Sequence, residues 1–479
     1  MSSALSSAFV REQLALRTRG MNTRPERRSG EYVLYWMQST HRFEDNWALR
    51  CAVREADRLG LPVIIHQGLD PTYEHANDRI HSFILHNARE LAQRATKLGL
   101  RYQFVLRRRR GGDRRVVDRL AARAALVVTD DFPTAGIAER TQRFAARVDC
   151  RVVAVESHAI VPAALFVKEE YAARTLRPKV MAHLSHALAP VSNAPPRVEA
   201  SDTLWASLEV DRLDVAGDLA AEIARCDIDH TVPPAPLPSG RRAALARLKA
   251  FCSTALPDYD TRRREPADPD GSSRLSPYLH FGQISAAEVA RAALAAVGQA
   301  KADSFLDELV TWRELALNFT LRNPNFRTLS ALPEWVHRTM ASHAGDQREA
   351  VYSLQQLENA ATHHPLWNAA QRELRETGVI HNVMRMYWGK SVLAWSATYA
   401  DAMQHLIHLN DKWALDGRDP SSYGGIQWCF GKFDRPWGER PVWGTIRSMS
   451  LERAYKKFDA SAYERRWNGG DLELFAADE

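Results

Sequence analysis

The segment DELVTWREL (307–315) sets Glu308 and Trp312 four positions apart, which puts a carboxylate and an indole on one face of a helix. Such a pair can hold the hydrogen-bonding edge of a base against an aromatic wall. An amphipathic helix with a surface glutamate would show the same pattern. Further on, LNDKWALDGRDPSSYGGIQW (409–428) gathers Asn410, Asp411, Asp416, Arg418 and Asp419 ahead of two glycines and Trp428. The DGRDP run lacks the alternating acid spacing of a calcium loop, so a Gly-rich polar turn closing on a ring-shaped cofactor fits it better than a metal. WCFGKFDRPWGERPVWGTIR (428–447) alternates Trp428, Trp437 and Trp443 with Arg440 and Arg447, a mixture suited to stacked bases and phosphates.

Two other stretches carry chemistry in a weaker form. SSRLSPYLHFGQIS (272–285) places hydroxyls, Arg274 and Pro277 just before a helix, where free backbone N–H groups can bind phosphate or simply receive a cap. MRMYWGKSVLAW (384–395) holds Trp388 and Trp395 seven positions apart. At 3.6 residues per turn they share a helix face, about 10 Å apart along the axis. Core packing would explain them; so would a conducting row of redox-active rings. Eight of the chain's 13 tryptophans follow residue 360, so the excess of indole is local.

The elements that must position these residues fall into two textures. YVLYW (32–36), LPVIIH (61–66), YQFVL (102–106), ALVVTDD (125–131) and RVVAVE (151–156) are short β-rich runs, separated by helical segments at 45–59, 76–98 and 114–124. That alternation predicts a parallel sheet covered on both faces. A G-x-G-x-x-G turn does not follow the first strand, so an ordinary dinucleotide site is not expected there. Pro/Ala-rich stretches at 186–200 and 230–240 bracket a connection. Beyond it the pattern is helical: 241–256, 285–297, 304–319, 365–378 (Pro at its start, Gly at its end) and 380–397. The expected organisation is a basic, disordered tail over 1–30, an α/β domain with a Rossmann-like parallel sheet over 31–190, a linker over 191–240 and an all-α domain over 241–479.

Composition limits the function. With 479 residues, 45% hydrophobic and 25% charged, the chain supports two or three packed domains. Uncharged apolar runs of about 18 residues are missing, so no membrane helix is expected. Cysteines 51, 150, 226, 252 and 429 are scattered without a CxxC pair, which suits a reducing cytosol and argues against a zinc or disulfide framework. A net charge of +6 permits a polyanionic partner. The tail, with six arginines and two acids, and LRRRRGGDRR (106–115) each read either as solvated charge or as phosphate contacts.

YWMQSTHRFEDNWAL (35–49), ESHAIVPA (156–163), EYAARTLRPKV (170–180), SRLSPYLHFGQIS (273–285), HPLWNAAQ (364–371), RMYWGK (385–390) and LNDKWALDGRDP (409–420) together resemble the class II DNA photolyases of the photolyase/cryptochrome family. The resemblance runs from about 31 to 460 and is dense after 259. It implies an antenna domain, a linker and a helical domain holding a U-shaped FAD. It also implies light-driven repair of cyclobutane pyrimidine dimers in DNA by a cytoplasmic, nucleoid-associated monomer, with neither membrane nor metal. The alternative within the family is a blue-light photoreceptor without repair activity; retention of Glu308, Trp428 and Trp437 favours the enzyme.

Carried over by motif, Tyr259, Arg263 and the Ser273–Arg274–Leu275–Ser276 turn match flavin phosphate and ribityl contacts, with Trp312, Arg313 and Asp419 also on the cofactor. Arg385 and Asp416 match an ion pair against the flavin ring, and Asn410 an asparagine near its N5. Glu308 matches the carboxylate that binds the flipped dimer; Trp312, Met386, Trp428 and Trp437 match its walls, and Arg447 a basic contact. Trp367, Trp388 and Trp395 match the electron-transfer tryptophans. An antenna pigment of the 8-hydroxy-5-deazaflavin or folate class is implied for the first domain.

Overall fold

A computed structural model describes residues 2–191 and 194–469. Six strands form one sheet: β1 (Thr18–Gly20), β2 (Tyr32–Met37), β3 (Val63–Leu69), β4 (Arg101–Leu106), β5 (Ala124–Asp130) and β6 (Arg151–Val155). Their order is β1-β6-β5-β2-β3-β4, parallel throughout except for the antiparallel β1. Every residue of β2 and β5 is buried, which is why their sequences are near-continuous apolar runs rather than alternating ones. Helices α2 (Trp47–Leu59), α3 (Asp78–Lys97), α4 (Val116–Arg123) and α5 (Ile137–Arg147) cover the faces. Asn46 and Asn77 start α2 and α3 by accepting the N–H groups of Leu49 and Ile80 at 2.8 and 3.0 Å.

The first residues differ from expectation. In place of a disordered tail, α1 (Ser2–Arg17) runs into β1, which pairs with β6 through Thr18–Val155, Arg19–Ala154 and Gly20–Val153. Val10, Leu14 and Arg17 share one face of α1 and are all buried. Arg17 meets the buried carboxylate of Glu156 at 2.7 Å and donates to the carbonyls of Ala159 and Ile160 at 2.9 and 2.6 Å. Its Cζ also lies 5.0 Å from the Trp47 ring centre. Arg19 pairs with Asp131 at 2.8 Å. Internal carboxylates therefore take up two of the tail's charges. The arginine run behaves in the same way in part: Arg107 is buried against Asp70 and Arg108 meets Glu222 at 2.6 Å.

After α6 (Ala173–Ala187) and a connection with only short helices, the chain is helical. The helices that build the site are α7 (Arg241–Thr254), α8 (Ala286–Leu306), α9 (Arg313–Arg322), α10 (Pro365–Thr377), α11 (Asn382–Trp395), α12 (Tyr399–Trp413), α13 (Pro420–Cys429) and α14 (Ala460–Asn468). Helix α10 begins at its proline and ends at left-handed Gly378 (φ 73°), as its sequence predicts. The expected segments 285–297 and 304–319 instead form one path, kinked at Gly298 and passing through a π-helical turn, Asp307–Trp312, between α8 and α9. The C-terminal end of the expected last domain, 470–479, lies outside the described residues. Among the described residues no helix is long and apolar enough to cross a membrane, and all five cysteines are free.

Candidate functional site

The helical half encloses a cavity of about 610 Å³, within the roughly 300–1,000 Å³ usual for small-molecule sites. Of the residues singled out above, Tyr259, Ser273, Arg274, Leu275, Ser276, Glu308, Trp312, Arg313, Arg385, Met386, Asp416, Asp419, Trp428 and Arg447 line it. Residues more than 180 positions apart thus meet around one space. Arg263, Asn410, Trp437 and the three candidate electron-transfer tryptophans do not line it directly.

The turn at 272–276 is held open by two side chains that its own sequence does not reveal. Arg247 of α7 donates to the carbonyls of Ser272 and Ser273 at 2.7 and 2.9 Å, engaging the carbonyl side of the turn. Arg274 adopts a left-handed backbone (φ 50°), and its guanidinium meets buried Glu373 at 3.3 Å. Glu373 also accepts Tyr463 Oη at 2.5 Å and the His381 N–H at 3.1 Å.

On the opposite wall, Arg385 makes a two-point contact with Asp416, 2.8 Å to one carboxylate oxygen and 3.2 Å to the other. Its other terminal nitrogen reaches Asn410 Oδ1 at 3.4 Å and Ser422 Oγ at 3.3 Å. Asn410 sits behind this pair, its amide donating to Asp411 at 3.0 Å, while Asp411 accepts Tyr423 Oη at 2.8 Å. Asp419 caps α13 and accepts the Ser421 N–H at 2.8 Å. Burial opposes its ionisation, but Arg313, His280 and that N–H outweigh burial and hold its carboxyl below the usual range.

Glu308 lies on the π-helical turn, a local geometry frequent at functional sites. Its carboxylate is ion-paired with Arg263, whose guanidinium also lies 5.3 Å from the Tyr259 ring centre. Two residues expected to serve cofactor and substrate separately are thus neighbours. The far wall is aromatic and cationic: the Arg447 guanidinium carbon lies 5.7 Å from the Trp428 ring and 4.8 Å from that of Trp437. Trp437 is 39% exposed and stands at the mouth.

The three internal tryptophans form a connected row, though not in the order their spacing suggests. Trp388 and Trp395 share a face of α11, and Trp367 of α10 stands between them. Its ring centre is 6.5 Å from Trp388 and 6.0 Å from Trp395. Trp388 Nε1 donates to Gln371 at 2.9 Å and Trp367 Nε1 to the Trp388 carbonyl at 3.0 Å. Tyr352 continues the row 5.7 Å beyond Trp395. Among the described residues, no group of three or more His, Cys, Asp or Glu side chains is placed to hold a metal ion.

The DNA photolyase family model matches residues 33–198. A deoxyribodipyrimidine photo-lyase of Methanothermobacter thermautotrophicus is 35% identical, over 95% of this chain and 98% of its own length. The chain belongs to the DNA photolyase family. Enzymes of the same description from Oryza sativa subsp. japonica (37% identical; 91% of this chain, 87% of theirs) and Potorous tridactylus (33%; 91% and 81%) extend the photolyase likeness to plants and marsupials. The photolyase fold is shared with a solved Synechocystis cryptochrome (TM-score 0.68, 17% identity, 91% of this chain and 88% of that one). It is shared too with a Sulfolobus tokodaii photolyase described with two FAD molecules (TM-score 0.67, 19% identity, 92% and 91%).

Proposed function

We propose that this protein repairs cyclobutane pyrimidine dimers in DNA under blue light, with FAD held in the cavity between α8 and α13. The observation that carries the reading is the mixed lining of one cavity. The 273–276 turn, Arg313, Arg385 and Asp416 supply polar and charged groups, and Glu308, Trp312, Met386, Trp428 and Arg447 supply a carboxylate, apolar and aromatic surfaces and a cation. The polar groups fit a flavin nucleotide: Arg313 and His381 line the cavity, and Arg313 Nε and His381 Nε2 are buried and without hydrogen-bond partners, as groups awaiting a polar ligand would be.

When bound and reduced, the flavin supplies on excitation the electron that opens the cyclobutane ring and takes it back. The chain's own residues bind and orient. The 273–276 turn and Tyr259 hold the phosphates and the ribityl chain, with Arg263 behind Tyr259; Arg385 and Asp416 fix the ring; Asn410, anchored by Asp411, steadies Arg385 from behind. Glu308 receives the hydrogen-bonding edge of the flipped dimer, and Trp312, Met386 and Trp428 enclose its apolar faces. Arg447 and the net positive charge favour the phosphodiester strand. Trp388, Trp367 and Trp395 give the buried site an electron path to the surface.

The α/β domain we assign as the seat of an antenna chromophore of the 8-hydroxy-5-deazaflavin or folate class. Partnerless buried atoms on β3 and β4, His66 Nδ1, Gln67 Nε2 and Gln103 Nε2, support a polar guest there. Chromophores extracted from the purified protein and identified by mass test both assignments; recovery of no flavin, after reconstitution with FAD, would defeat the functional one.

A further inference from the structure

Lys390 is fully buried in the middle of α11, two residues after Trp388 and hence on the opposite side of the helix from it. What surrounds its ammonium is a carbonyl and two indoles. Nζ donates to the Cys429 carbonyl at 2.8 Å and lies 4.8 Å from the Trp428 ring centre and 5.7 Å from that of Trp443. The approach of α11 to the end of α13 depends on Gly389, where a Cβ would stand 2.7 Å from Cys429 Sγ. Trp428 is at once the indole under Lys390, the indole under Arg447 and a wall of the cavity. A buried lysine is costly, and hydrophobic packing alone would be served better by methionine or leucine.

We propose that Lys390 is the positioning residue of the lesion-side aromatic wall, its ammonium clamping Trp428 and Trp443 in the orientation that receives the flipped dimer. The clamp ties three segments together: α11, which carries Trp388 and Trp395; the end of α13; and the 443 loop. It rests on the repair reading above. Because the clamp works through charge, a cation–π attraction that is strongest when desolvated, neutralising the ammonium should release it. Burial pushes the Lys390 ammonium down to about 8. The other ionisable groups facing it are Cys429, whose thiol burial pushes up to about 11, and Asp434 and Arg447. The cation is therefore present below about pH 8 and lost above it.

The test is the ratio of affinities for an oligonucleotide with one thymine dimer and the same undamaged oligonucleotide, measured in the dark on the flavin-loaded protein from pH 7 to 9.5. The ratio should fall about tenfold across pH 8 in the unaltered protein, the scale of one desolvated cation–π contact. In Lys390→Met it should be lower and flat with pH, with flavin content unchanged. A flat ratio in the unaltered protein, or an equal fall in Lys390→Met, would overturn the proposal. Should Lys390→Met fail to fold, the unaltered protein's profile decides alone. A protein without preference for dimer DNA at any pH would defeat the repair reading itself, and the clamp with it.

Discussion

The indoles of Trp367 and Trp388 lie parallel, 6.5 Å apart between ring centres and 7° apart in plane, although they come from different helices. Their N–H groups are both engaged, to Trp388 O and Gln371 Oε1 respectively. Packing alone would accept phenylalanine at Trp388 with a modest loss, whereas electron hopping would not. Trp388→Phe should fold, keep FAD and keep affinity for dimer DNA, yet lose efficient photoreduction of oxidised flavin by an external thiol. With the flavin reduced chemically beforehand, repair should be near normal. Normal photoreduction in the variant would return these rings to a packing role.

Glu308→Ala should weaken dimer binding by about 1–3 kcal/mol, the cost of losing a buried hydrogen-bond partner, while undamaged DNA binds as before. Arg263, deprived of its ion-pair partner, remains near the cofactor side, so flavin should stay bound. Titration of both oligonucleotides by fluorescence anisotropy separates the two effects. Equal loss on both would mean that Glu308 does not read the lesion.

Arg385→Met removes the two-point contact to Asp416 and the contact to Asn410, leaving a buried carboxylate unpaired. The flavin should dissociate at least tenfold more readily on gel filtration, since charge-assisted pairs of this kind contribute about 1.5–3 kcal/mol. Undiminished flavin retention would place the cofactor's ring elsewhere.

Arg17→Met tests the folded N-terminus. Breaking a buried pair strips Glu156 of its cation and leaves its carboxyl only backbone N–H partners such as Ala159, at a cost of about 3–5 kcal/mol, visible as a lower denaturation midpoint. The salt dependence of DNA binding should not change, because Arg17 faces Glu156 rather than phosphate. A changed salt slope with unaltered stability would restore the basic-tail reading.

Glu314 links this corner to the site: it is buried beside Glu156, accepts the Ile160 N–H at 2.6 Å, and follows Arg313 of the cavity wall. Burial and the Glu156 charge push its carboxyl up to about 8. An unfolded chain releases this proton near the ordinary carboxylate range, so between there and about pH 8 the folded state binds more protons. Glu314 thus makes stability fall as pH rises through that window. Glu314→Gln, which keeps an oxygen for Ile160, should flatten the fall in a denaturation series from pH 5 to 8; an unchanged slope would assign it to another group.

The sequence carried much of this, for physical reasons. Strand runs such as YVLYW are legible because both faces of a parallel sheet are buried, and α10 is legible because proline and glycine punctuate it. Glu308 with Trp312 stood in a motif whose residue types advertise chemistry, whereas the pairing of Arg385 with Asp416 was legible only through the resemblance to photolyases. The packing of the N-terminal helix was not legible because its buried residues include Gln13 and Arg17 beside Val10 and Leu14, and an arginine there reads as solvated charge until Glu156, 139 residues away, is placed beside it. The position of Trp367 between Trp388 and Trp395 depends on how α10 packs against α11, which spacing within α11 cannot give. Arg247, Glu373 and Lys390 act on other residues rather than on a ligand, and their partners are remote in the chain.

The central claim is that this cavity holds FAD and that light turns it to dimer repair. The most direct measurement is the conversion of a thymine dimer back to two thymines in a short oligonucleotide, followed by chromatography, with the flavin-loaded, reduced protein kept in blue light or in the dark. The account predicts conversion in the light, none in the dark, and substantially less conversion by Glu308→Ala at limiting substrate. Equal yields in light and dark, or no repair in the light by protein shown to carry reduced flavin, would contradict it.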